Sequence, residues 1–394
     1  MRKRRMSARH QVYVARIGYF LSGFAVACWA PLIPIIKTEL QLSTEAISVL
    51  VLAFGLGSVS GMFISGIMLQ HVGFKVTYAI STATTAVSIC LLALMPSYEV
   101  VLGSLIVFGM SIGCLEVAIN VFGAFIEKKY RLLLLSVLFA YYSLGEVVGA
   151  IMMIFLLTIA LSPAISILSM IALIYIACAY YVPVIIDIKS QNKQENRTFV
   201  KPVQPVISLA LIVAFTYMVG GAILDWSGLY VTEVVDVPLN YASFGYCIVS
   251  ICMLLCRIYS RPIIRTLGAF RFAFYGAILM IIGLGSLVLV PNIFACVLCF
   301  LAIGCGMSNI SPLATSAAGQ QKNMPLIPAI SFVSICGYIG LLIGPACLGF
   351  IASTFSLKGV FLFLAALTMC SAFLLYSTRR DMEAIGPQKT LPQS

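Results

Sequence analysis

Charge is what this sequence has least of. Only 9% of its 394 residues are Asp, Glu, Lys or Arg, while 61% are hydrophobic and mean hydropathy is +1.08. A soluble domain carries roughly 25% charged residues, because water must wet its surface. This chain lacks the charge to cover such a surface, so lipid is the expected solvent for most of it. Histidine is scarcer still. His10 and His71 make up the whole complement, and both fall outside the apolar runs, which removes an intramembrane histidine relay and any metal cluster. No nucleophile, His pair or metal set gathers inside an apolar run, so neither an integral-membrane enzyme nor a cofactor is expected.

Two apparent signals dissolve once their residues are located. The net charge of +11 suggests nucleic acid, but the basic residues sit between apolar runs rather than on one face, as topology signals do. Nucleic acid is therefore not an expected partner. Thirteen cysteines suggest a disulfide scaffold, yet Cys114, Cys247, Cys252, Cys256 and Cys305 lie in apolar runs, where cysteine packs as a small polarizable residue. Cys296-Val-Leu-Cys299 has redox spacing without a soluble βαβ context. The start, Arg2-Lys3-Arg4-Arg5 ahead of an apolar stretch ending near Ala25-Val26-Ala27, has a signal-peptide outline. Hydrophobicity continues past it and many spans follow, so an uncleaved first span is expected.

What is present is a series of apolar runs of membrane-crossing length. They predict spans near 12–36, 45–69, 76–95, 99–123, 132–158, 163–186, 205–231, 240–259, 270–290, 293–316, 326–352 and 358–377. The expected fold class is thus an all-α membrane protein of twelve transmembrane helices. With the N-terminus in the cytoplasm, every Lys and Arg except Lys37 and Lys358 falls on the inner side, whereas Glu39, Glu45, Glu99, Glu233 and Asp236 fall outside. A missed span would scramble that partition, so both termini are expected to be cytoplasmic. The longest polar connection, from Asp187 to Lys201, separates two sets of six spans. The expected organisation is an N-terminal half over 1–186, a linker over 187–204, a C-terminal half over 205–378 and a cytoplasmic tail over 379–394. Two six-span halves related by an axis along the membrane normal are a transporter architecture, with the substrate site expected near the midplane.

Carboxylates inside spans are costly, about 2.5–3.5 kcal/mol at a helix centre, and mark functional candidates. Three qualify: Glu116, Glu146 and Asp225, and each is a candidate for proton coupling. On the fourth span Gly109, Gly113, Glu116, Asn120, Gly123 and Glu127 recur at steps of three and four, a single helix face of small and polar residues. A carboxylate there can carry a proton or hydrogen-bond a polyol, or instead close a structural contact to a neighbouring helix. Ala302, Gly306 and Asn309 repeat the spacing of Gly109, Gly113 and Glu116 in the tenth span. Glu146 lies between Gly145 and Gly149, where coupling and a helix-crossing role are both open. Gly220-Gly221 ahead of Asp225-Trp226-Ser227 reads as a weakened helix facing a cavity. Trp226 suits either a ring-stacking role or the interfacial belt, and Trp29 suits the belt. Substrate-binding candidates are Glu116, Asn120, Tyr142, Trp226, Asn309 and Tyr338.

Several stretches resemble the major facilitator superfamily. Gly66-Ile-Met-Leu-Gln70-His-Val-Gly73-Phe-Lys75 is similar to its signature loop after the second span, with Gln70 where Asp is usual. The resemblance implies a gating loop carried by Gly66, Gly73 and Lys75. Gly113-Cys-Leu-Glu116-Val-Ala-Ile-Asn120 resembles the fourth span of the fucose permease-like sugar:proton symporters, where the Glu belongs to the site and to coupling. Their first-span Asp has no counterpart here. Ile33 to Lys37, Ser143-Leu-Gly145, Ala222 to Ser227, Ser316 to Gly319 and Gly337 to Pro345 resemble a group of bacterial inner-membrane permeases. That group usually has Glu where Gly220 stands and His where Phe139 stands. The proline-containing fifth-span motif of drug:proton antiporters is absent between Leu132 and Leu161.

The resulting expectation is a monomeric, multi-pass secondary transporter of the cell inner membrane, symporting a small polar solute with protons and held in membrane lipid. Two alternatives stay open: efflux of an amphipathic compound, favoured by a cavity of Tyr141, Tyr142, Trp226, Tyr338 and methionines, and a transporter-like sensor that binds without translocating.

Overall fold

In lipid no water is available to the backbone, so each peptide group must find its partner inside its own segment, and helices do this residue by residue. The computed structural model describes residues 8–27, 36, 39–42, 44–94, 97–159, 165–172, 201–236, 244–290 and 292–384. Its regular structure among these residues is fourteen α-helices, with a further helical stretch over 165–172 and no strand. Side-chain hydroxyls follow the same economy. Ser22, Thr77, Thr82, Thr216 and Thr368 each donate to the carbonyl four residues back, at 2.7–2.9 Å, which lets an apolar helix carry them without water.

The helices divide into two compact units. The first holds α1 (Ala8–Ala27), α2 (Thr44–His71), α3 (Phe74–Leu94), α4 (Tyr98–Tyr130) and α5 (Leu135–Thr158) from Leu138 onward. α4 is its centre: all of Ser111 to Ala124 is buried. It runs on to Tyr130 rather than stopping at 123. Glu127 keeps a buried face there, and Lys128 and Lys129 in the last turn complement the helix dipole. The α2–α3 turn is closed by Gly73, whose φ of 85° needs a residue without Cβ, and by the Gly73 N–H donating to the Met68 carbonyl at 3.3 Å.

The second unit holds α6 (Gln204–Glu233), α7 (Phe244–Ile258), α8 (Ser260–Leu267), α9 (Ala269–Leu289), α10 (Ile293–Met307), α11 (Ile310–Gln320), α12 (Leu326–Thr354), α13 (Leu357–Ser377) and α14 (Arg379–Glu383). Residues 131–137 cluster with it. Proline in the first turn of α6 costs no hydrogen bond. Asn292 caps α10, its side chain accepting from the Ala295 N–H at 2.9 Å, and Ser356 caps α13. Tyr230 donates to the Leu287 carbonyl and packs edge-on against Phe361 at 4.8 Å, tying α6 to α9 and α13.

Eight helical stretches among the described residues are long and apolar enough to cross a membrane, and α7 with α8 makes a ninth if counted as one span bent by 64°. Large apolar side chains point outward from them, Phe294 at 81% and Phe373 at 72% exposure, as a lipid-facing surface requires. Most of the expected sixth span and of the linker, together with Trp29 and the tail beyond 384, lie outside the described residues.

Two expectations about helix continuity are corrected. α6 does not weaken at Gly220-Gly221 but runs unbroken through them. Those glycines accommodate neighbours instead: a Cβ on Gly220 would lie 3.3 Å from Met307 Cε, and one on Gly221 would lie 2.8 Å from Leu341 Cδ1. The interruption falls in the tenth span, between α10 and α11 at Ser308-Asn309.

Candidate functional site

In the first unit, α4 presents Glu116 and Asn120 one turn apart, both buried, at 8% and 5% exposure. The face that carries them is set by how α4 meets α2. A Cβ on Gly109 would lie 2.2 Å from the Phe54 carbonyl oxygen, and one on Gly113 2.0 Å from that of Ser58. Conversely, a Cβ on Gly57 would meet the Ile106 carbonyl at 2.4 Å, and one on Gly61 the Met110 carbonyl at 1.9 Å. The glycines of the α4 stripe are thus half of a reciprocal zipper, backbone against backbone, as small residues permit between membrane helices. Ser65 reinforces it by donating to the Cys114 carbonyl at 2.9 Å, and Thr85 of α3 donates to Ser111 at 2.8 Å.

At Asn120 the neighbour becomes α1. Tyr19, 1% exposed, donates its hydroxyl to Asn120 Oδ1 at 2.9 Å, and its ring lies 5.8 Å from that of Phe139 on α5. The reading from sequence missed Tyr19. Its only signal there was a tyrosine well inside an apolar run, whose hydroxyl must find a partner when buried. α1 then crosses α5 through another glycine pair: a Cβ on Gly23 would lie 2.1 Å from the Tyr142 carbonyl, and one on Gly145 2.1 Å from the Phe20 carbonyl. Tyr142 and Glu146, both half-buried, flank this crossing. The first unit therefore brings Glu116, Asn120 and Tyr19 together around α4, and sets Tyr142 and Glu146 where α1 and α5 touch.

In the second unit Tyr338 of α12 packs edge-on against Tyr217 of α6 at 6.1 Å, beside Gly337. Trp226 lies over Gly349, and its buried Nε1 has no hydrogen-bond partner. The side chain of Asp225 lies outside the described residues, although its backbone is part of α6. Asn309 sits at the interruption of the tenth span, 3% exposed. Its Nδ2 donates to the Cys256 carbonyl at 3.3 Å and to Ser308 Oγ at 3.0 Å, while Oδ1 is buried and unbonded. Arg257 Nε donates to the Ser308 carbonyl at 3.0 Å. The break is therefore held from α7 on both sides.

The shared spacing of the fourth and tenth spans does not put its members on matching faces. Gly113 packs against α2, but Gly306 packs against α9, a Cβ there lying 2.4 Å from the Gly276 carbonyl. Gly304, which meets the Val249 carbonyl of α7 at 2.8 Å, is the tenth-span glycine that faces the eighth-span helix.

Of the loop residues, Gly66 lies in α2, Gly73 forms the turn and Lys75 opens α3. Gln70 is 7% exposed, with its Oε1 buried and unbonded.

The Major Facilitator Superfamily profile matches residues 16–323. An uncharacterised MFS-type transporter of Yersinia pestis is 29% identical over 370 residues, covering 94% of each chain. Among solved structures, the Escherichia coli fucose:proton symporter superposes with a TM-score of 0.80 over 95% of this chain and 99% of its own, at 14% identity. The human organic anion transporter MFSD10 does so with 0.75 over 94% and 100%, at 12% identity.

Proposed function

Because this chain belongs to the Major Facilitator Superfamily and is a membrane transporter rather than an enzyme, we propose that it moves a small polar solute across the inner membrane by alternating access, in symport with protons. The observation that carries this reading is the Tyr19–Asn120–Glu116 group. An apolar helix buried on nearly every side holds a carboxylate and an amide one turn apart, and a tyrosine from another helix orients the amide. Keeping such groups in a membrane interior is expensive, and binding or coupling explains their presence. The fold likeness to a fucose:proton symporter supports the coupling half of the reading.

In this scheme Glu116 carries the proton, with Glu146 and Asp225 as further coupling carboxylates. Asn120, held through its Oδ1 by Tyr19, turns its Nδ2 donors to a substrate oxygen. Tyr142, Trp226, Asn309 and Tyr338 contribute further contacts, and Gly66, Gly73 and Lys75 form the gating loop. The Tyr217–Tyr338 pair and the unbonded Trp226 Nε1 favour a second reading, export of an aromatic amphiphile.

A thermal-shift screen of the purified protein against sugars, organic acids, siderophores and cationic drugs separates the two by which class stabilises it. With that ligand in hand, Glu116→Gln should lose accumulation driven by an imposed pH gradient in proteoliposomes, while substrate counterflow continues. Full accumulation by the variant overturns the role of Glu116.

A further inference from the structure

The tenth span is interrupted for a covalent reason. Pro312 has no N–H to give the carbonyl four residues back, which is that of Ser308. Arg257 of α7 donates Nε to that carbonyl at 3.0 Å, so α7 stands in for the missing intrahelical bond. The two helices come this close because of Gly304 on α10. A Cβ there would lie 2.8 Å from the Val249 carbonyl oxygen and 2.8 Å from Cys252 Cβ. Such an approach is within reach of a disulfide, whose Cβ atoms stand about 3.8 Å apart.

Three thiols gather on this crossing. Cys252 and Cys256 are four apart on α7 and so share a face. Cys305 follows Gly304 on α10, and its side chain is in hydrogen-bonding contact with both of theirs. The backbone fixes the same register: Asn309, one turn along from Cys305, donates Nδ2 to the Cys256 carbonyl at 3.3 Å. Access separates the three. Cys252 is 7% exposed, whereas Cys256 and Cys305 are half-buried. Cys256 also lies two residues from the end of α7, beside Arg257, at the end that the distribution of Lys and Arg makes cytoplasmic. Packing asks only for small side chains at such a crossing. It does not ask that two half-open thiols from different helices meet.

We propose that Cys256 and Cys305 form a peroxide-sensitive thiol pair, whose oxidation to a disulfide clamps α7 to α10 at the break. Hydrogen peroxide is the oxidant. One thiol attacks a peroxide oxygen and becomes a sulfenic acid, its proton leaving with the other oxygen as water. The second sulfur then displaces the sulfenic oxygen as a second water and the S–S bond forms, so sulfur is oxidised as the peroxide is reduced. The first step is bimolecular. The second is intramolecular, because the thiols already touch, and it outruns further oxidation. Cytoplasmic thiols are held reduced, and disulfides among them are transient and redox-sensing, so the dithiol is the resting form. The bond closes a loop of roughly fifty residues and keeps the Arg257 and Asn309 contacts from parting, which stiffens the break.

The test treats the full-length protein in detergent with hydrogen peroxide, blocks the remaining thiols with N-ethylmaleimide, and maps a digest of the monomer by mass spectrometry. Peptides joined through Cys256 and Cys305 should appear, and dithiothreitol should separate them. Amide hydrogen exchange reads the clamp: residues 305 to 313 should exchange at least about tenfold more slowly in the oxidised protein, and reduction should restore the original rate. Cys256→Ser and Cys305→Ser should each abolish both effects. Cys370→Ser, at an exposed thiol of α13, should leave both unchanged. If a Ser variant does not fold, the crosslink map and exchange of the wild type decide the matter alone. Recovery of both cysteines as maleimide adducts after peroxide, a bond from Cys305 to Cys252 instead, or a Cys256–Cys305 bond with unchanged exchange at 305 to 313 overturns the proposal.

Discussion

The hydroxyl of Tyr19 donates to Asn120 Oδ1 across 2.9 Å, joining residues 101 positions apart in a site where both are nearly fully buried. Because Oδ1 accepts that bond, the amide is fixed with its Nδ2 donors turned elsewhere, one turn along α4 from Glu116. Tyr19→Phe keeps the ring against Phe139 and removes only the donor. A buried acceptor left unsatisfied costs about 1–3 kcal/mol, so the variant should melt several degrees lower in detergent. In a double-mutant cycle with Asn120→Leu, the two losses should not add. Additive losses would place Tyr19 outside the Asn120 site.

The zipper between α2 and α4 makes a sharper contrast, between two glycines of ordinary helical conformation. A Cβ on Gly61 would sit 1.9 Å from the Met110 carbonyl oxygen, and rigid backbone has no rotamer with which to yield. Gly61→Ala must push the helices apart, at a cost towards the upper end of roughly 1–3 kcal/mol. A Cβ on Gly103, in the same α4, meets nothing within 4 Å. Gly103→Ala should be neutral or stabilising by up to about 1 kcal/mol. Thermal melting of the two proteins side by side checks the pair.

These examples mark what was readable from the sequence. Helix positions were, because a membrane span is an uninterrupted apolar run and its length is set by the bilayer: α9, α12 and α13 begin and end within two residues of the expected bounds. The spacing of Gly109, Gly113, Glu116 and Asn120 was readable as one face. What that face touches was not, since Gly permits a close helix, a ligand or nothing. Gly220-Gly221 looked like a break and is not, because Met307 and Leu341 fill the space beside them. The real break at Ser308-Asn309 was hidden because its stabilising partners, Cys256 and Arg257, lie about fifty residues upstream on another helix.

Gln70 occupies the signature-loop position where the superfamily usually has Asp, and here its Oε1 is buried without a partner. Restoring the usual residue should therefore harm this protein. Gln70→Asp places a charge at 7% exposure, and burying an unpaired carboxylate costs more than burying an amide. Gln70→Leu, of similar volume, removes the unsatisfied acceptor and should be close to neutral. If the Asp variant melts at or above wild type, a cation must reach that site.

The interruption of the tenth span also makes a prediction. Breaking a helix frees carbonyls that lipid cannot satisfy. At Ser308 the carbonyl takes a charged donor, Arg257 Nε, at 3.0 Å, and Asn309 Nδ2 reaches back to the Cys256 carbonyl. A hydrogen bond from a charged group is worth about 1.5–3 kcal/mol. Arg257→Gln should lose most of that, and Arg257→Lys should not restore it, because an ammonium at the end of a longer stem replaces a donor set by the guanidinium plane. Amide hydrogen exchange localises the effect. Residues 305 to 313 should lose protection in both variants, while α13 keeps its own. Uniform deprotection of the unit would mean that Arg257 supports the fold at large rather than the break.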